Sequence, residues 1–428
     1  MMTRRIVLAV LAAPLLAACS DFVDNEPLNP RPLPSGGATF VTYAAIGTSI
    51  AAGIQSGGIN DSTQRDAYTY RLAQAMGLTP GVDWYYPSFR SFGCPGPFTN
   101  PLTNQRVGGG SATFCGLRAQ VTPWVNNTGI PFLRAAQALD ITAVPFFTDT
   151  VKLAQFITGS VSPVSAVMRL QPTFVTIELG ANDVLHAATR GDTTLLTPTA
   201  SFSASLTAIA DSMDSLGSGP GVAIASVPNV TLIPHLSRGL MLYCLRFGCP
   251  GIPATPPYSS PNFLVNANCA PNAVIAGSKG DSAFVAFPTT AGLTSTLAAG
   301  AAATLDCVTG AVTINVGAGF VVPTQFSVYV LTPREYAAVV ARVTALNAAI
   351  QTLATARNWA FVDLNAALAA NAAQIPPFPS FTTPTTTLFG TLFSLDGVHP
   401  TRAGQRILAQ AFATQINATF NVTLPAIP

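Results

Sequence analysis

Three short segments carry side chains that could act together in nucleophilic chemistry. Ser49 lies in the small-residue segment IGTSI, Asn182 in GAND, and Asp396 and His399 in DGVHP. A serine hydroxyl becomes a nucleophile when a neutral histidine takes its proton, and a carboxylate fixes that histidine's tautomer. An asparagine amide can donate a hydrogen bond to a developing oxyanion. The spacing of Asp396 and His399 lets the carboxylate reach the imidazole.

Each of these residues also has a purely structural interpretation. Serine is common in turns, Asn182 could cap a helix or form an Asx turn, and DGVHP could be a solvated turn. Asp183 is expected to brace its loop. The chain has three histidines. His186 lies in an apolar helical context and His235 at the edge of an insertion, so both are interpreted as structural, which leaves His399 as the general base.

The elements that must position these side chains follow an alternating α/β pattern from residue 40 onward. Short apolar runs predict buried parallel strands. They cover residues 41–46, 174–179, 222–227 and 359–362, with a weaker candidate at 84–86. Ser49 follows the first run and Asn182 follows the second. Because ligands bind at the carboxyl ends of parallel strands, the two side chains are expected at one edge of the sheet.

Helical periodicity separates the predicted strands. An apolar stripe over residues 206–216 ends at Gly217, and a second stripe over 336–353 is opened by Thr332, Pro333 and Glu335 as a capping box. A last amphipathic helix is expected to begin at about Thr401.

Two stretches, at about 97–126 and 235–329, do not fit this alternation and are interpreted as insertions. The second is rich in Pro, Gly, Thr and Val and has β-like alternation near 312–322. It is predicted to form a small β-rich subdomain or lid.

The amino-terminal residues predict export and a lipid anchor. Two arginines precede an apolar stretch too short to span a bilayer, so residues 1–18 are interpreted as a signal peptide. The segment LAAC resembles the lipobox of bacterial lipoproteins, which implies lipidation of Cys19. A plain signal peptide ending near a chance cysteine is the alternative. Residues 19–38 would form a Pro-rich tether, and the protein would lie in the cell envelope, at the outer membrane or cell surface.

Composition excludes some partners and predicts disulfides. The net charge of +2 comes from scattered residues without a basic run, so nucleic acid is not expected as a partner. Beyond Cys19 the chain has an even number of cysteines, and sequence proximity pairs them. The predicted pairs are Cys94 with Cys115, Cys244 with Cys249, and Cys269 with Cys307. A zinc site is the competing interpretation, but the chain has no CxxC motif and no metal is expected.

In their order, the segments YAAIGTSIAAG, VTIELGANDVL and SLDGVHPTRAG resemble the blocks of the SGNH, or GDSL, hydrolase superfamily. The resemblance implies a doubly wound, three-layer sandwich with a central parallel sheet, of flavodoxin-like type, over residues 39–428. It also implies that Ser49 is the nucleophile, His399 the general base, Asp396 its orienting carboxylate and Asn182 an oxyanion donor. No cofactor is implied.

The chain departs from the family pattern at two places. Thr48 replaces the Asp of the family's GDS motif, which is not a triad member. The family's NxxxxG block, which supplies a backbone oxyanion donor after the second strand, is best matched by residues 91–96 with Ser91 in place of Asn. Gly96 is therefore the predicted donor, with Gly93 as a second candidate.

The predicted function is hydrolysis of carboxylic esters, with a lipid, a short acyl ester or an acetylated sugar as substrate. A transacylase would use the same residues. The alternative from another class is a surface lipoprotein that keeps the hydrolase fold and binds a ligand or partner through its insertion, without turnover.

Overall fold

A computed structural model describes residues 37–109, 115–116, 118–119, 122, 124–142, 148–159, 161–314 and 330–427, all of them in one compact unit. The predicted signal peptide and Cys19 lie outside the described residues, as does most of the predicted tether.

Twelve strands and twelve α-helices are present in the described part of the chain. The strands are β1 Tyr43–Ile46, β2 Phe98–Asn100, β3 Gln105–Arg106, β4 Phe174–Ile177, β5 Gly221–Ala225, β6 Leu236–Arg238, β7 Phe263–Val265, β8 Phe284–Ala286, β9 Ala303–Leu305, β10 Val312–Thr313, β11 Val330–Leu331 and β12 Ala360–Val362. The helices are α1 Ser49–Ala52, α2 Asp61–Asp66, α3 Tyr68–Ala75, α4 Thr148–Thr158, α5 Pro163–Met168, α6 Asn182–Arg190, α7 Thr199–Asp214, α8 Gly239–Phe247, α9 Phe287–Ala298, α10 Pro333–Ala356, α11 Leu364–Ala370 and α12 Arg402–Phe420.

The central sheet is parallel and has the order β1-β4-β5-β12. These are the four strands that the apolar runs predict, each slightly shorter than its run. On the far edge of β1, Asn127 forms a single parallel bridge with Ala45. The Ala45 amide donates to the Asn126 carbonyl at 2.8 Å, and the Thr128 amide donates to the Ala45 carbonyl at 2.9 Å. With this segment counted as second along the chain, the order is 2-1-3-4-5, that of a flavodoxin-like fold.

Side chains of β1 alternate between two cores. Tyr43 and Ala45 pack in one cluster with residues of α3 and α12, and Ala44 and Ile46 pack in another with residues of α6, α7 and α10. Helices therefore cover both faces of the sheet, because each face of a buried parallel strand needs an apolar partner. The predicted three-layer α/β architecture is confirmed.

The predicted helices are also present. At α10, Thr332 and Glu335 form the predicted capping box, in which the Thr332 amide donates to Glu335 Oε2 at 2.8 Å. Among the described helices, α10 has the length and apolar composition to cross a membrane, but Val339, Val343 and other apolar residues of its inner face are buried in the core of this domain.

The weaker strand prediction at residues 84–86 is wrong. Trp84 is buried and forms only an isolated bridge with Pro80. Its ring stacks on Tyr43 and Tyr86, with centroids 6.0 and 6.1 Å away. The apolar pattern of this run reflects aromatic packing against the sheet, and the polar segment at Asn126 takes the place beside β1.

The three disulfides are the pairs that sequence proximity predicts: Cys94–Cys115, Cys244–Cys249 and Cys269–Cys307. Two of them lie in the long insertion, which contains two three-stranded sheets, β10-β9-β7 and β11-β8-β6, with β11 contributed from just beyond it. The insertion also contains helices α8 and α9, so it is less purely β than predicted. Of the alternation predicted at 312–322, the described part is β10 and the residue after it.

Candidate active site

Ser49 begins α1 directly behind β1, at the carboxyl edge of the central sheet. The strand ends at Ile46, two small residues follow, and the serine is 5% exposed. This edge lies where the strand order reverses between β1 and β4, the place at which open α/β sheets bind ligands.

Ser49, His399 and Asp396 are joined by two hydrogen bonds. Ser49 Oγ lies 2.9 Å from His399 Nε2, and His399 Nδ1 lies 2.8 Å from Asp396 Oδ2. A carboxylate only accepts, so Nδ1 carries the proton of a neutral ring and Nε2 accepts from the serine hydroxyl. This is the tautomer that a general base needs.

Asp396 is held by donors on both oxygens. The amides of Val398 and His399 each donate to Oδ1 at 2.8 Å, and the Gly57 amide donates to Oδ2 at 2.5 Å. Burial alone would raise the pKa of Asp396, but the charge of His399 and the hydrogen bonds from His399 and Val398 outweigh it. The pKa therefore lies well below its ordinary value, and the carboxylate stays ionised.

Asn182 begins α6 near the same edge of the sheet and is buried. Its side-chain Nδ2 donates to the Leu133 carbonyl at 3.0 Å, which uses one of the two N–H groups of the amide. Beside it, Asp183 Oδ2 accepts from the Ala135 amide at 3.1 Å, the bracing contact that the sequence predicts. Both residues tie the start of α6 to the segment after Asn127.

The other two histidines make packing or bracing contacts. The His186 ring stacks on Phe132 with centroids 6.1 Å apart. His235 is buried, and its Nδ1 lies 2.9 Å from the Asp396 carbonyl. Because a carbonyl only accepts, this Nδ1 carries the proton. Its backbone amide donates to the Gly397 carbonyl at 2.9 Å, so His235 supports the DGVHP loop from behind.

Gly96 and Gly93 lie beside the segment that holds Asp396. Arg106 Nη1 donates to the carbonyls of Gly57 and Gly96, each at 2.9 Å, and a Cβ on Gly93 would lie 2.2 Å from the Ile59 carbonyl oxygen. A Cβ on Gly96 would lie 2.4 Å from the Val107 carbonyl oxygen, so close backbone approach explains both glycines. Neither observation places an amide relative to Ser49, so the oxyanion role of Gly96 or Gly93 stays a prediction.

Sequence reasoning missed Glu178, which lies directly under the Ser49 turn. The carboxylate is buried at the end of β4, where the Thr48 amide donates to Oε2 at 3.0 Å. Thr48 Oγ1 lies 3.0 Å from Oε1 and 2.8 Å from Oε2. Burial raises the pKa of Glu178 to about 7, against the hydrogen bonds from Thr48, which lower it. The signal in the sequence was an acidic residue in the mostly apolar run 174–179, directly after the residues that form β4.

Phe132 is the second residue that sequence reasoning missed. Its φ is +65°, which is rare for an aromatic residue, and it follows Pro131 in a turn closed by the Leu133 amide on the Ile130 carbonyl at 3.3 Å. Counted from Asn127, which lies beside β1, the NxxxxG pattern has Phe132 at its glycine position. The Ile130 amide donates to the Gly47 carbonyl at 3.1 Å, so this turn runs along the Ser49 segment.

The raised pKa of Glu178 predicts a pH-dependent effect of Glu178→Gln on stability. The folded protein binds this proton more tightly than the unfolded chain, so the contribution of Glu178 to stability is present at low pH and is lost as the pH rises through about 7. Denaturant unfolding should therefore show that the free energy of unfolding of the variant, relative to that of the wild type, is higher at pH 8 than at pH 5. Asp214→Asn, at an exposed carboxylate, is the control. An equal difference at both pH values would contradict the prediction.

The positive φ of Phe132 predicts that Phe132→Gly is more stable than Phe132→Ala. Both variants lose the ring, and only glycine adopts this backbone conformation without strain, so the free energies of unfolding should differ by about 1 kcal/mol. Leu139 has a φ of −93° and is the matched control position, where alanine should be the more stable replacement. If alanine were the more stable replacement at both positions, the backbone at Phe132 would be unstrained.

The described residues contain no group of three or more His, Cys, Asp or Glu side chains that could hold a metal ion.

Comparison with protein-family models identifies the family of this chain. A model of the GDSL-like lipase/acylhydrolase family matches residues 117–407, a segment that includes Asn182, Asp396 and His399 and begins after Ser49. No curated protein matches the chain. A solved structure described as a GDSL-like lipase, from Parabacteroides merdae ATCC 43184, is 10% identical and aligns over 89% of this chain and 98% of its own, with a TM-score of 0.36. Since the family model spans well over half of the sequence, the chain belongs to the GDSL-like lipase/acylhydrolase family.

Proposed function

We propose that this protein is a serine ester hydrolase that forms an acyl-enzyme on Ser49. The observation that carries the proposal is the pair of hydrogen bonds from Ser49 Oγ to His399 Nε2, at 2.9 Å, and from His399 Nδ1 to Asp396 Oδ2, at 2.8 Å. Both lie within the range that proton transfer in such a triad requires.

In the first half-reaction, Ser49 Oγ attacks the ester carbonyl carbon while His399 Nε2 takes the hydroxyl proton. The tetrahedral intermediate collapses, the bond to the leaving oxygen breaks, and His399 gives its proton to the departing alcohol. In the second half-reaction, His399 takes a proton from water, the hydroxide attacks the acyl carbon, and the carboxylic acid leaves as Ser49 recovers its proton. Asp396 stays ionised and stabilises the imidazolium in both halves.

Three donors would stabilise the oxyanion in this proposal. The Ser49 amide and the second N–H of the Asn182 side chain are two of them. For the third, we favour the Phe132 amide, because its turn lies along the Gly47–Ser49 segment and matches the spacing of the family pattern. Gly96 is the candidate predicted from sequence. Loss of one such donor typically lowers the rate by about 100- to 1000-fold.

Hydrolysis of a p-nitrophenyl ester series, from acetate to palmitate, tests the triad. Ser49→Ala should lower kcat by about 10⁶-fold and Asp396→Asn by about 10⁴-fold, because the second variant keeps the nucleophile but loses the fixed tautomer. Ser205→Ala, on the exposed face of α7, is the matched control and should retain wild-type rates. Activity that survives in Ser49→Ala would place the nucleophile elsewhere. A wild-type protein without activity on any ester, acetylated sugars included, would favour a ligand-binding lipoprotein.

We also propose that the protein is exported and lipid-anchored at Cys19, in the outer membrane or at the cell surface. The support is the LAAC segment after a short apolar stretch. The full chain made in a bacterial host should partition into detergent and carry the mass of a lipid on its mature amino terminus. Cys19→Ser should abolish both, whereas Ser35→Ala should change neither. A mature wild-type chain without added lipid mass would support a plain signal peptide.

A further inference from the structure

A tight turn over residues 55–58 connects the triad to the 97–126 insertion. The Gln55 amide donates to the Gly58 carbonyl at 2.9 Å, and the Gly58 amide donates to the Gln55 carbonyl at 3.1 Å. The two central residues, Ser56 and Gly57, have φ values of +51° and +62°. Positive φ at both central residues is what a two-residue hairpin turn of type I′ requires. Because a serine in this conformation is strained, contacts from outside the turn must hold it.

The amides of the two central residues contact the loop that holds Asp396. The Gly57 amide donates to Asp396 Oδ2 at 2.5 Å, and the same oxygen accepts from His399 Nδ1 at 2.8 Å. The Ser56 amide donates to Ser394 Oγ at 2.7 Å, and this hydroxyl donates to Asp396 Oδ1 at 3.2 Å. The 55–58 turn therefore contacts one oxygen of the carboxylate directly and the other through Ser394.

The carbonyls of the same two residues contact the β2–β3 hairpin of the insertion. The Phe98 amide, in β2, donates to the Ser56 carbonyl at 2.8 Å. Arg106, in β3, donates from Nη1 to the carbonyls of Gly57 and Gly96, each at 2.9 Å. Its guanidinium carbon lies 3.5 Å from the centroid of the Phe98 ring. Each central residue of the turn thus bonds to the hairpin through its carbonyl and to the triad loop through its amide.

Arg106 is only 8% exposed, although a buried cation is costly unless polar groups or a ring surround it. Here two backbone carbonyls and the Phe98 ring do so. Among the donors to the Asp396 carboxylate in the described part of the chain, Gly57 alone lies outside residues 394–399. The residue that fixes the Gly57 carbonyl therefore controls the one outside support of this carboxylate.

We propose that Arg106 is a positioning residue of the triad. It holds the Gly57 residue in place, the Gly57 amide fixes Asp396 Oδ2, and Asp396 orients His399. With Oδ1 bonded to amides of its own loop and Oδ2 bonded to Gly57, the carboxylate cannot rotate away from the imidazole. The proposal rests on the proposed function.

Arg106→Met tests the proposal, because methionine keeps an unbranched side chain against Phe98 and removes the charge and the N–H donors. On the p-nitrophenyl ester that the wild type cleaves fastest, kcat should fall about 10- to 100-fold while KM stays within about twofold, because a displaced triad raises the barrier to chemistry. Arg118→Met is the matched control. Arg118 also belongs to the insertion and donates to two backbone carbonyls, those of Phe156 and Ile157 in α4, at 2.7 and 2.8 Å. This variant should keep the wild-type kcat.

A double-mutant cycle separates positioning of the triad from a general effect on the fold. Asp396→Ala removes the carboxylate that the Gly57 amide contacts and should lower kcat by about 10⁴-fold. If Arg106 acts through Asp396, adding Arg106→Met to this variant should lower kcat by less than about twofold more. An equal loss of kcat from Arg106→Met in both backgrounds would show that Arg106 only supports the fold, and would overturn the proposal.

Arg106→Lys provides a second variant in case Arg106→Met does not fold. Lysine keeps the charge and N–H donors without the planar fork of arginine, so kcat should fall by a smaller factor, about three- to tenfold. That loss should also disappear in the Asp396→Ala background. A loss that persists there would contradict action through Asp396.

These outcomes are distinct from failure of the proposed function. Ser49-dependent hydrolysis that keeps the wild-type kcat in folded Arg106→Met would overturn the positioning role alone. Absence of any Ser49-dependent hydrolysis in the wild type would overturn the proposed function and the role of Arg106 with it.

Discussion

Backbone pairing on both edges of β1 is the constraint on which the site depends. On one edge, the register pairs Ile46 with Ile177, so the chain leaves both strands at the same level and brings the Ser49 turn next to Glu178. On the other edge, the amide and the carbonyl of Ala45 form hydrogen bonds with the 126–128 segment, and this pairing directs the chain toward Phe132. Three stretches that are distant in sequence therefore reach one edge of the sheet, and this edge lies where the strand order reverses.

The DGVHP loop is fixed to this edge by polar contacts from several directions. The Gly57 amide reaches the Asp396 carboxylate from the segment after α1, and His235 bonds to the loop's backbone from the start of the long insertion. A loop between buried elements needs such partners, because its backbone N–H and C=O groups are not paired within a helix or a sheet. The insertion thus begins at a support of the triad, and its strands β7 and β9 with the Cys269–Cys307 disulfide contribute to a separate apolar core.

The altered GDS motif has a physical explanation in the buried carboxylate beneath it. An Asp at position 48 would place a second carboxylate against Glu178, and two buried carboxylates in contact cannot both be ionised. Threonine instead donates from both its hydroxyl and its amide to Glu178. The replacement is therefore compatible with an intact nucleophile turn, because Thr48 is a hydrogen-bond partner for both oxygens of the Glu178 carboxyl group.

The sequence by itself determined the features that depend on residues close together in the chain. Four apolar runs became the central strands, Thr332 and Glu335 capped α10, the cysteines paired with near neighbours, and Asp396 and His399 lay close enough in sequence for their contact to be expected. Tertiary structure alone decided which segment lies beside β1. Asn126 and Asn127 are held there by hydrogen bonds, and their segment has no apolar alternation from which a strand could be predicted. It also decided the left-handed backbone of Phe132 and a small apolar cavity between Ile50 and α11. The contact between Glu178 and Thr48, which are 130 residues apart in the sequence, was decided in the same way. These depend on contacts between distant residues, and a sequence pattern read over a few residues carries no record of them.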